Sequence, residues 1–264
     1  MERECDAIAR EVSGYYDGGG RELWLLLIDE HFHPGGLADT EKLARQAGVT
    51  QETHVLDVCS GMGGPSCYLA RTFGCRVTGI DVTESHYRMA VERARQERLE
   101  GQVTYHLGNA LDMPFPDGSF DIVWGQDAWC HIGPAHKGQL IAQCARVVRP
   151  GGRIAFTDEI ALAELSGEER ELLRKASALM DFQTLESYAQ LLRENGFQVQ
   201  EQENLSAELA AEYADYRRRL EGELKPSLVA QYGEEGYRKM MGDITPFFDL
   251  VHKVGRARFI GKKL

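Results

Sequence analysis

Three groups of residues in this chain have types and spacings that can do chemistry. The first is Asp57, Cys59, Gly61 and Gly63 within V-L-D-V-C-S-G-M-G-G-P-S (55–66), followed by Asp81 at the end of V-T-G-I-D (77–81). An apolar run breaks into a turn of small residues, a helical pattern follows, and a second apolar run ends in a carboxylate. Strand, glycine-rich turn, helix, strand and acid is the plan of a nucleotide or nucleoside site. Glycines let the backbone approach the ligand without a Cβ clash, and the acid accepts hydrogen bonds from ribose hydroxyls. The second group is Asp127 and His131 in Q-D-A-W-C-H (126–131). Four residues apart, they share one face if the segment is helical. Such a histidine is either a core or capping residue, or a base whose ordinary pKa of about 6.5 suits proton transfer near neutrality. The third is His31 and His33 around Phe32. No convergent carboxylate or thiolate pattern accompanies them, so no metal site is expected.

Alternating elements must position these groups. Strands are expected over 54–58, 76–80, 103–107, 120–125, 153–157 and 197–200, with helices over 64–73, 84–98, 136–148, 165–179 and 184–194. Units of this length joined by short turns predict a parallel sheet with helices on both faces, and ligands then sit at the carboxyl ends of its strands. Residues 120–125 run continuously apolar, as buried parallel strands do. Before this core, helices are expected over 4–16, 21–32 and 40–47, broken by Asp17-Gly-Gly-Gly20 and by Pro34-Gly-Gly36. They form a helical cap over 1–52. After the core (53–205), residues 206–250 read as a mostly helical insertion interrupted at Pro226, Gly233 and Pro246, and 251–264 return a last strand at 257–261.

The turn lacks the first glycine of a dinucleotide fingerprint, and G-N-A-L-D-M-P-F-P-D-G-S-F-D (108–121) adds a signal that dinucleotide domains do not need. With these motifs the chain resembles the class I S-adenosylmethionine-dependent methyltransferases. That family's first motif, hydrophobic-Leu-Asp-Val-Gly-Cys-Gly-x-Gly-Gly, reads here Val55-Leu56-Asp57-Val58-Cys59-Ser60-Gly61-Met62-Gly63-Gly64. Its acid at the end of the second strand matches Asp81, its G-D-A-x-x-L-P-F-x-x-x-x-F-D signature matches 108–121, and its Pro-Gly-Gly turn matches 150–152. The match covers about residues 53–160. The resemblance implies a Rossmann-like α/β fold with a seven-stranded, mostly parallel sheet. It also implies S-adenosyl-L-methionine as cofactor, left as S-adenosyl-L-homocysteine. The residues it implies around the cofactor are Asp57, Cys59, Gly61, Gly63, Asp81, Val82, Asn109, Ala110 and Gln126. Two positions depart from the family: Cys59 replaces a glycine, and Asn109 replaces an aspartate whose carboxylate would face the adenine amine. The amide carbonyl of Asn109 can still accept from that amine.

A narrower resemblance is to the sarcosine/dimethylglycine and phosphoethanolamine N-methyltransferases, carried by Gln126-Asp127-Ala128-Trp129-Cys130-His131 and by an N-terminal tyrosine that is either Tyr15 or Tyr16. It implies a Tyr–His dyad that latches the site and assists deprotonation, with Asp127 beside it. It also implies an acceptor site with Asp158, Trp129 and, from the late insertion acting as a lid, Tyr213 and Tyr237. The basic and aromatic residues that hold phosphate in the phosphoethanolamine enzymes fall at Ala178 and Met180, neither of which binds phosphate. A small amine or amino acid is therefore expected as acceptor. An O- or C-methyltransferase with an apolar pocket lined by Trp24, Trp129, Phe247 and Phe248 is the alternative, and a cofactor-binding regulator without activity is another.

Bulk properties agree. At 264 residues and 43% hydrophobic content the chain can bury one sizeable core. Its net charge of −11 argues against a nucleic-acid partner. The one dense basic stretch, Y-R-R-R-L (216–220), reads as a solvated helix face. Six scattered cysteines without a C-x-x-C pattern, an acidic N-terminus and no apolar run of membrane length lead us to expect a cytoplasmic monomer or homodimer away from membranes.

Overall fold

The computed structural model describes residues 4–28 and 31–264. Its core is one seven-stranded sheet, order β3-β2-β1-β4-β5-β7-β6. The strands are β1 (His54–Val58), β2 (Arg76–Asp81), β3 (Val103–Leu107), β4 (Phe120–Gln126), β5 (Val148–Ala161), β6 (Phe197–Asn204) and β7 (Val254–Lys263). The first five are parallel to one another, and β7 runs antiparallel between β5 and β6. The fold is the mixed-sheet form of a Rossmann-like methyltransferase. The chain leaves β1 for β2 and β3 on one side and returns to β4 on the other, so the crevice above β1 and β4 is the switch point where ligands bind.

Among the described residues ten α-helices flank the sheet. The cap is α1 (Glu4–Tyr15), α2 (Arg21–Ile28) and α3 (Gly36–Ala47); the core adds α4 (Gly64–Phe73), α5 (Glu84–Gln96), α6 (Lys137–Val147), α7 (Gly167–Ser177) and α8 (Leu185–Glu194); α9 (Ser206–Glu221) and α10 (Lys225–Asp249) precede β7. Alternation along β1 sends Leu56 and Val58 to one core with Phe156, Leu192 and Phe259, and Val55 to the opposite core with Leu43, Leu69 and Ile260. A third cluster packs Trp24, Leu27, Tyr213, Phe247 and Phe248 beneath α2, α7, α9 and α10. None of the described helices is long and apolar enough to cross a membrane.

Several expectations are corrected. Asp17-Gly-Gly-Gly20 does not break the first helix: Tyr16–Gly20 form one π-helical turn that joins α1 directly to α2. The glycines make this possible. The Tyr15 ring lies over Gly20, where a Cβ would fall 2.3 Å from a ring carbon. A π turn of this kind displaces a side chain from regular helical phase and is frequent at functional sites. The helix expected over 21–32 is described to Ile28, and residues 29 and 30 lie outside the described residues. The last two strands are longer than their apolar cores suggested, because they pair with each other along most of their length. The Y-R-R-R-L stretch is not simply a solvated face: Tyr216 and Leu220, one turn apart, point into the third cluster. Arg219 donates to the carbonyls of Leu26 and Leu27, and Arg217 to that of Thr245.

Candidate active site

A cavity of about 1080 Å³, its mouth included, opens at the carboxyl ends of β1, β2 and β4 and is closed on its outer side by α1 and the turn before α3. The glycine-rich turn forms its floor. Cys59 and Gly61 both take positive φ, 62° and 52°, which turns the backbone N–H groups upward after β1. A Cβ on Gly61 would meet no atom within 4 Å, so this glycine faces open cavity. Gly63 is different. Its Cβ would fall 2.2 Å from the Tyr105 hydroxyl, so it permits tight packing of α4 on β3 and does not line the cavity. The thiol of Cys59 lines the wall, with burial pushing its pKa well up, so it stays a neutral thiol. Asp57 is buried, accepts from Ser66 Oγ at 2.5 Å, and burial raises it to about 7.

Asp81 ends β2 with its carboxylate fixed from two sides: Oδ2 accepts from the Gly61 N–H and Oδ1 from the Thr83 N–H, both 2.8 Å. Its remaining lone pairs are available to a pair of hydroxyls. Val82, Asn109 and Ala110 line the same side. Asn109 Oδ1 accepts from the Leu111 N–H at 2.9 Å, so the carbonyl expected to face adenine is already engaged locally and has one lone pair left. Gln126, at the end of β4, lines the other side of the turn. One end of its amide lies 3.1 Å from Thr40 Oγ1, and the other is buried without a protein partner.

Tyr16 and His131 meet at the outer wall. The Tyr16 hydroxyl lies 2.8 Å from His131 Nε2, and His131 Nδ1 lies 2.9 Å from the Ala178 carbonyl oxygen. Between Tyr15 and Tyr16 the π turn makes the choice. Tyr16 lines the cavity, whereas the Tyr15 hydroxyl donates to the Ala176 carbonyl and accepts from the Trp24 indole, outside it. Burial lowers His131 to about 4, opposed by the Ala178 hydrogen bond, so its imidazole is neutral at physiological pH. Burial holds the Tyr16 hydroxyl well above the ordinary phenol range.

Asp127 and His131 do not share a helix face. Asp127 sits at φ 50°, and His131 ends a 3-10 turn, Trp129–His131. Asp127 borders the cavity, but both its carboxylate oxygens are bonded to Arg256, at 2.7 and 2.6 Å, and one also accepts from Thr157 Oγ1. Arg256 also bonds Asp39, which ties α3, β4 and β7 together. Four residues expected at the acceptor lie in the interior instead. Trp129 stacks on Phe156 and donates to the Val58 carbonyl. Asp158 accepts from the Cys130 N–H and the Tyr188 hydroxyl and is raised by burial to about 6. Tyr213 bonds Glu159, and Tyr237 bonds the Leu220 carbonyl. The resemblance points to these four side chains for the acceptor, but packing consumes them. The apolar pocket imagined around Trp24, Trp129, Phe247 and Phe248 is solid core.

The cavity wall also holds residues that no motif signalled. His86, 3% exposed with Nε2 unpartnered, packs against Tyr16 at 4.9 Å between ring centroids. Phe32, Ile8, Val12 and Ile132 make the wall beside the dyad apolar. Lys137, buried, donates to the Trp129 carbonyl beside Asp158 and Asp181, and so fixes the loop that carries His131. Among the described residues lining the cavity there is no lysine or arginine. The described cysteines, 59, 67, 75, 130 and 144, are free; the side chain of Cys5 lies outside the described residues.

A switch-point crevice with a glycine turn, an acid at the end of β2 and a hydrogen-bonded Tyr–His pair in its wall has the form of a nucleoside-dependent group-transfer site. The family described as a methyltransferase domain matches residues 55–152. The chain is 31% identical over 218 residues to methyltransferase GfsG of Streptomyces halstedii, covering 76% of this chain and 77% of that one. It is 32% identical over 236 residues to the glycine/sarcosine/dimethylglycine N-methyltransferase of Actinopolyspora halophila, covering 86% of this chain but 40% of that protein's length. Phosphoethanolamine N-methyltransferase 2 of Haemonchus contortus, solved with S-adenosyl-L-methionine, has the same fold, with a TM-score of 0.84 at 22% identity over all of this chain and 60% of that one. The chain belongs to the class I S-adenosylmethionine-dependent methyltransferases. S-adenosyl-L-methionine is its cofactor, and the wall fits that molecule: an open-facing glycine, an acid with spare lone pairs, and a buried amide end awaiting a partner.

Proposed function

We propose that the chain moves the methyl group of S-adenosylmethionine to the nitrogen of a small amine or amino acid. The observation that carries this reading is the Tyr16–His131 pair, 2.8 Å apart, in which a neutral histidine is placed to accept a proton at the cavity wall. Asp81 takes the ribose hydroxyls, Gly61 lies under the donor chain, Val82, Asn109 and Ala110 border the base, and Gln126 meets the methionyl end. When bound, the cofactor supplies a sulfonium methyl already activated for transfer. The protein's work is to align an acceptor lone pair behind that methyl and to exclude water. An amine attacks only when neutral. Its proton passes to Tyr16 and His131 as a unit, the phenol donating to Nε2 while its oxygen lone pairs face the acceptor. Tyr16 comes from the cap, so the cap completes the site. Residues 206–250, expected as a lid, line none of the cavity; their buried tyrosines, Tyr213, Tyr216 and Tyr237, pack in the third cluster.

Two further points support a small acceptor without phosphate. No cavity-lining arginine or lysine is present among the described residues, and Ala178 and Met180 pack apolar side chains beside Tyr16, with the Ala178 carbonyl bonding His131. The N-methyltransferase relative acts, by its name, on glycine, sarcosine and dimethylglycine. A second reading, an alcohol or phenol as acceptor, is favoured by the apolar wall of Ile8, Val12, Phe32 and Ile132.

A transfer assay with labelled cofactor against amines, amino acids, phenols, hydroxylated polyketides and phosphoethanolamine decides between them. Label in amines alone is the expected result. Label in hydroxyl compounds alone would replace the reading with the second. Binding of S-adenosylhomocysteine without transfer to any acceptor would point to a regulator.

A further inference from the structure

The last carbonyls of an α-helix have no partner within it. At the end of α7 two of them are met from outside: the Ala176 carbonyl by the Tyr15 hydroxyl at 2.7 Å, and the Ala178 carbonyl by His131 Nδ1 at 2.9 Å. A carbonyl only accepts, so the one phenolic proton of Tyr15 lies on the Ala176 side. The Trp24 indole N–H only donates. At 3.0 Å it takes a lone pair of the same oxygen and holds the proton in that direction. Packing leaves one flank of the Tyr15 ring open. The ring borders a groove of about 2280 Å³, its mouth included, between α2, α7 and α10, walled by Leu23, Leu172, Leu228 and Ile244. It also meets the Tyr16 ring edge-on, 5.2 Å between centroids. The loop that carries His131 is tied to the same end of α7 by other bonds: the Met180 and Asp181 N–H groups both donate to the Cys130 carbonyl, at 2.9 and 3.0 Å.

We propose that Tyr15 is a positioning residue for the transfer reaction: its hydroxyl, donated to the Ala176 carbonyl, docks the cap at the height where Tyr16 reaches His131. The assignment rests on the reading of Tyr16 and His131 as the proton-accepting pair. His131 takes its place from the segment after α7, and Tyr16 takes its place from the cap. The Tyr15–Ala176 bond refers both to one helix end. Arg174 also pairs with Glu11 across this boundary, but the two side chains are 39% and 41% exposed, and a surface ion pair defines the place of a ring loosely. Consecutive side chains on a helix diverge by about 100°, which sends Tyr15 to α7 and Tyr16 into the cavity. The π turn over Tyr16–Gly20 then lets the Tyr15 ring lie over Gly20. A lift of the cap by about 1 Å would take the Tyr16–His131 contact, 2.8 Å, beyond the roughly 2.6–3.2 Å at which a proton is passed.

The experiment is heteronuclear NMR on the full chain with nitrogen-labelled histidine, saturated with S-adenosylhomocysteine, alongside labelled-cofactor transfer over a panel of amines. The His131 ring is identified by the signals lost in His131→Gln. Tyr16→Phe gives the Nε2 position of a ring that has lost its phenol partner. Tyr15→Phe removes one oxygen. It should move the Nε2 signal toward the Tyr16→Phe position while Nδ1 keeps its proton. Turnover should fall about ten- to a hundredfold, with the KM for S-adenosylmethionine held within about twofold. Trp24→Phe leaves the Tyr15 hydroxyl but frees its proton to turn. It should give the same shift in smaller measure, and it carries the test if Tyr15→Phe does not fold by thermal melting. The proposal is overturned if the folded variant keeps the parent's Nε2 signal, or if its KM for S-adenosylmethionine rises while turnover holds. A parent-like Nε2 signal in Tyr16→Phe would mean that the pair does not form, and would remove the proton-accepting reading itself, a different outcome from either.

Discussion

The Tyr16 hydroxyl and His131 Nε2 lie 2.8 Å apart, with His131 Nδ1 2.9 Å from the Ala178 carbonyl. The carbonyl fixes the tautomer: Nδ1 holds the ring proton, so Nε2 accepts from Tyr16. Residues 115 positions apart in sequence thus form one hydrogen-bonded pair, which we propose accepts the proton of the acceptor. His131→Ala and Tyr16→Phe should each lower turnover by about 10²- to 10⁴-fold, the usual contribution of general base catalysis. S-adenosylhomocysteine affinity, read by calorimetry, should change far less. Turnover unaffected by both substitutions would end the base assignment.

His131 also sets a pH dependence of stability. Its folded-state pKa of about 4 lies below the unfolded value of about 6.5. The unfolded chain therefore binds the extra proton between these values. The histidine's share of stability is complete above pH 6.5 and is lost as pH falls toward 4. Urea midpoints should drop through this window in the parent and drop less in His131→Gln. Parallel curves for the two proteins would contradict the burial of a neutral ring.

Asp81 is positioned by two backbone N–H groups and offers its remaining lone pairs to the cavity. Asp81→Ala should weaken S-adenosylhomocysteine by about tenfold or more, since hydrogen bonds to a charged acceptor carry about 1.5–3 kcal/mol. Unchanged calorimetric affinity would move the ribose elsewhere.

The Asp39–Arg256–Asp127 cluster is buried and joins α3 to the ends of β4 and β7. Arg256→Leu leaves buried Asp127 without its counter-ion, Asp39 keeping Arg258, and should cost about 3–5 kcal/mol. Denaturant unfolding measures it. A cost below about 1 kcal/mol would mean that the cluster is solvated and interchangeable.

How much of this was legible in the chain depends on the distance over which each feature is specified. Val55 to Gly64, Asp81 and the 108–121 signature carry their meaning locally. An apolar run, a positive-φ turn and a terminal acid are fixed by neighbouring residues, so a parallel sheet with helices on both faces followed from spacing, and the donor side of the site from the resemblance that these motifs carry; the order of strands did not. Glycine already illustrates the limit: Gly61 faces the cavity and Gly63 only accommodates Tyr105, a difference made by a strand 40 residues on. The acceptor side was legible in part. His131 was, but Trp129, Asp158, Tyr213 and Tyr237 have the chemistry of a binding site and the positions of a core. Sequence cannot tell these apart, because a hydrogen-bonding side chain is equally satisfied by a ligand or by Val58, Cys130, Glu159 and Leu220. The choice of Tyr16 over Tyr15 needed a π turn, which three glycines allow but do not dictate. The use of Asp127 as the partner of Arg256 exists only where separate segments close on one another. Sequence by itself determined the fold and the kind of donor. Tertiary packing decided which polar groups remained unpaired and therefore free to act.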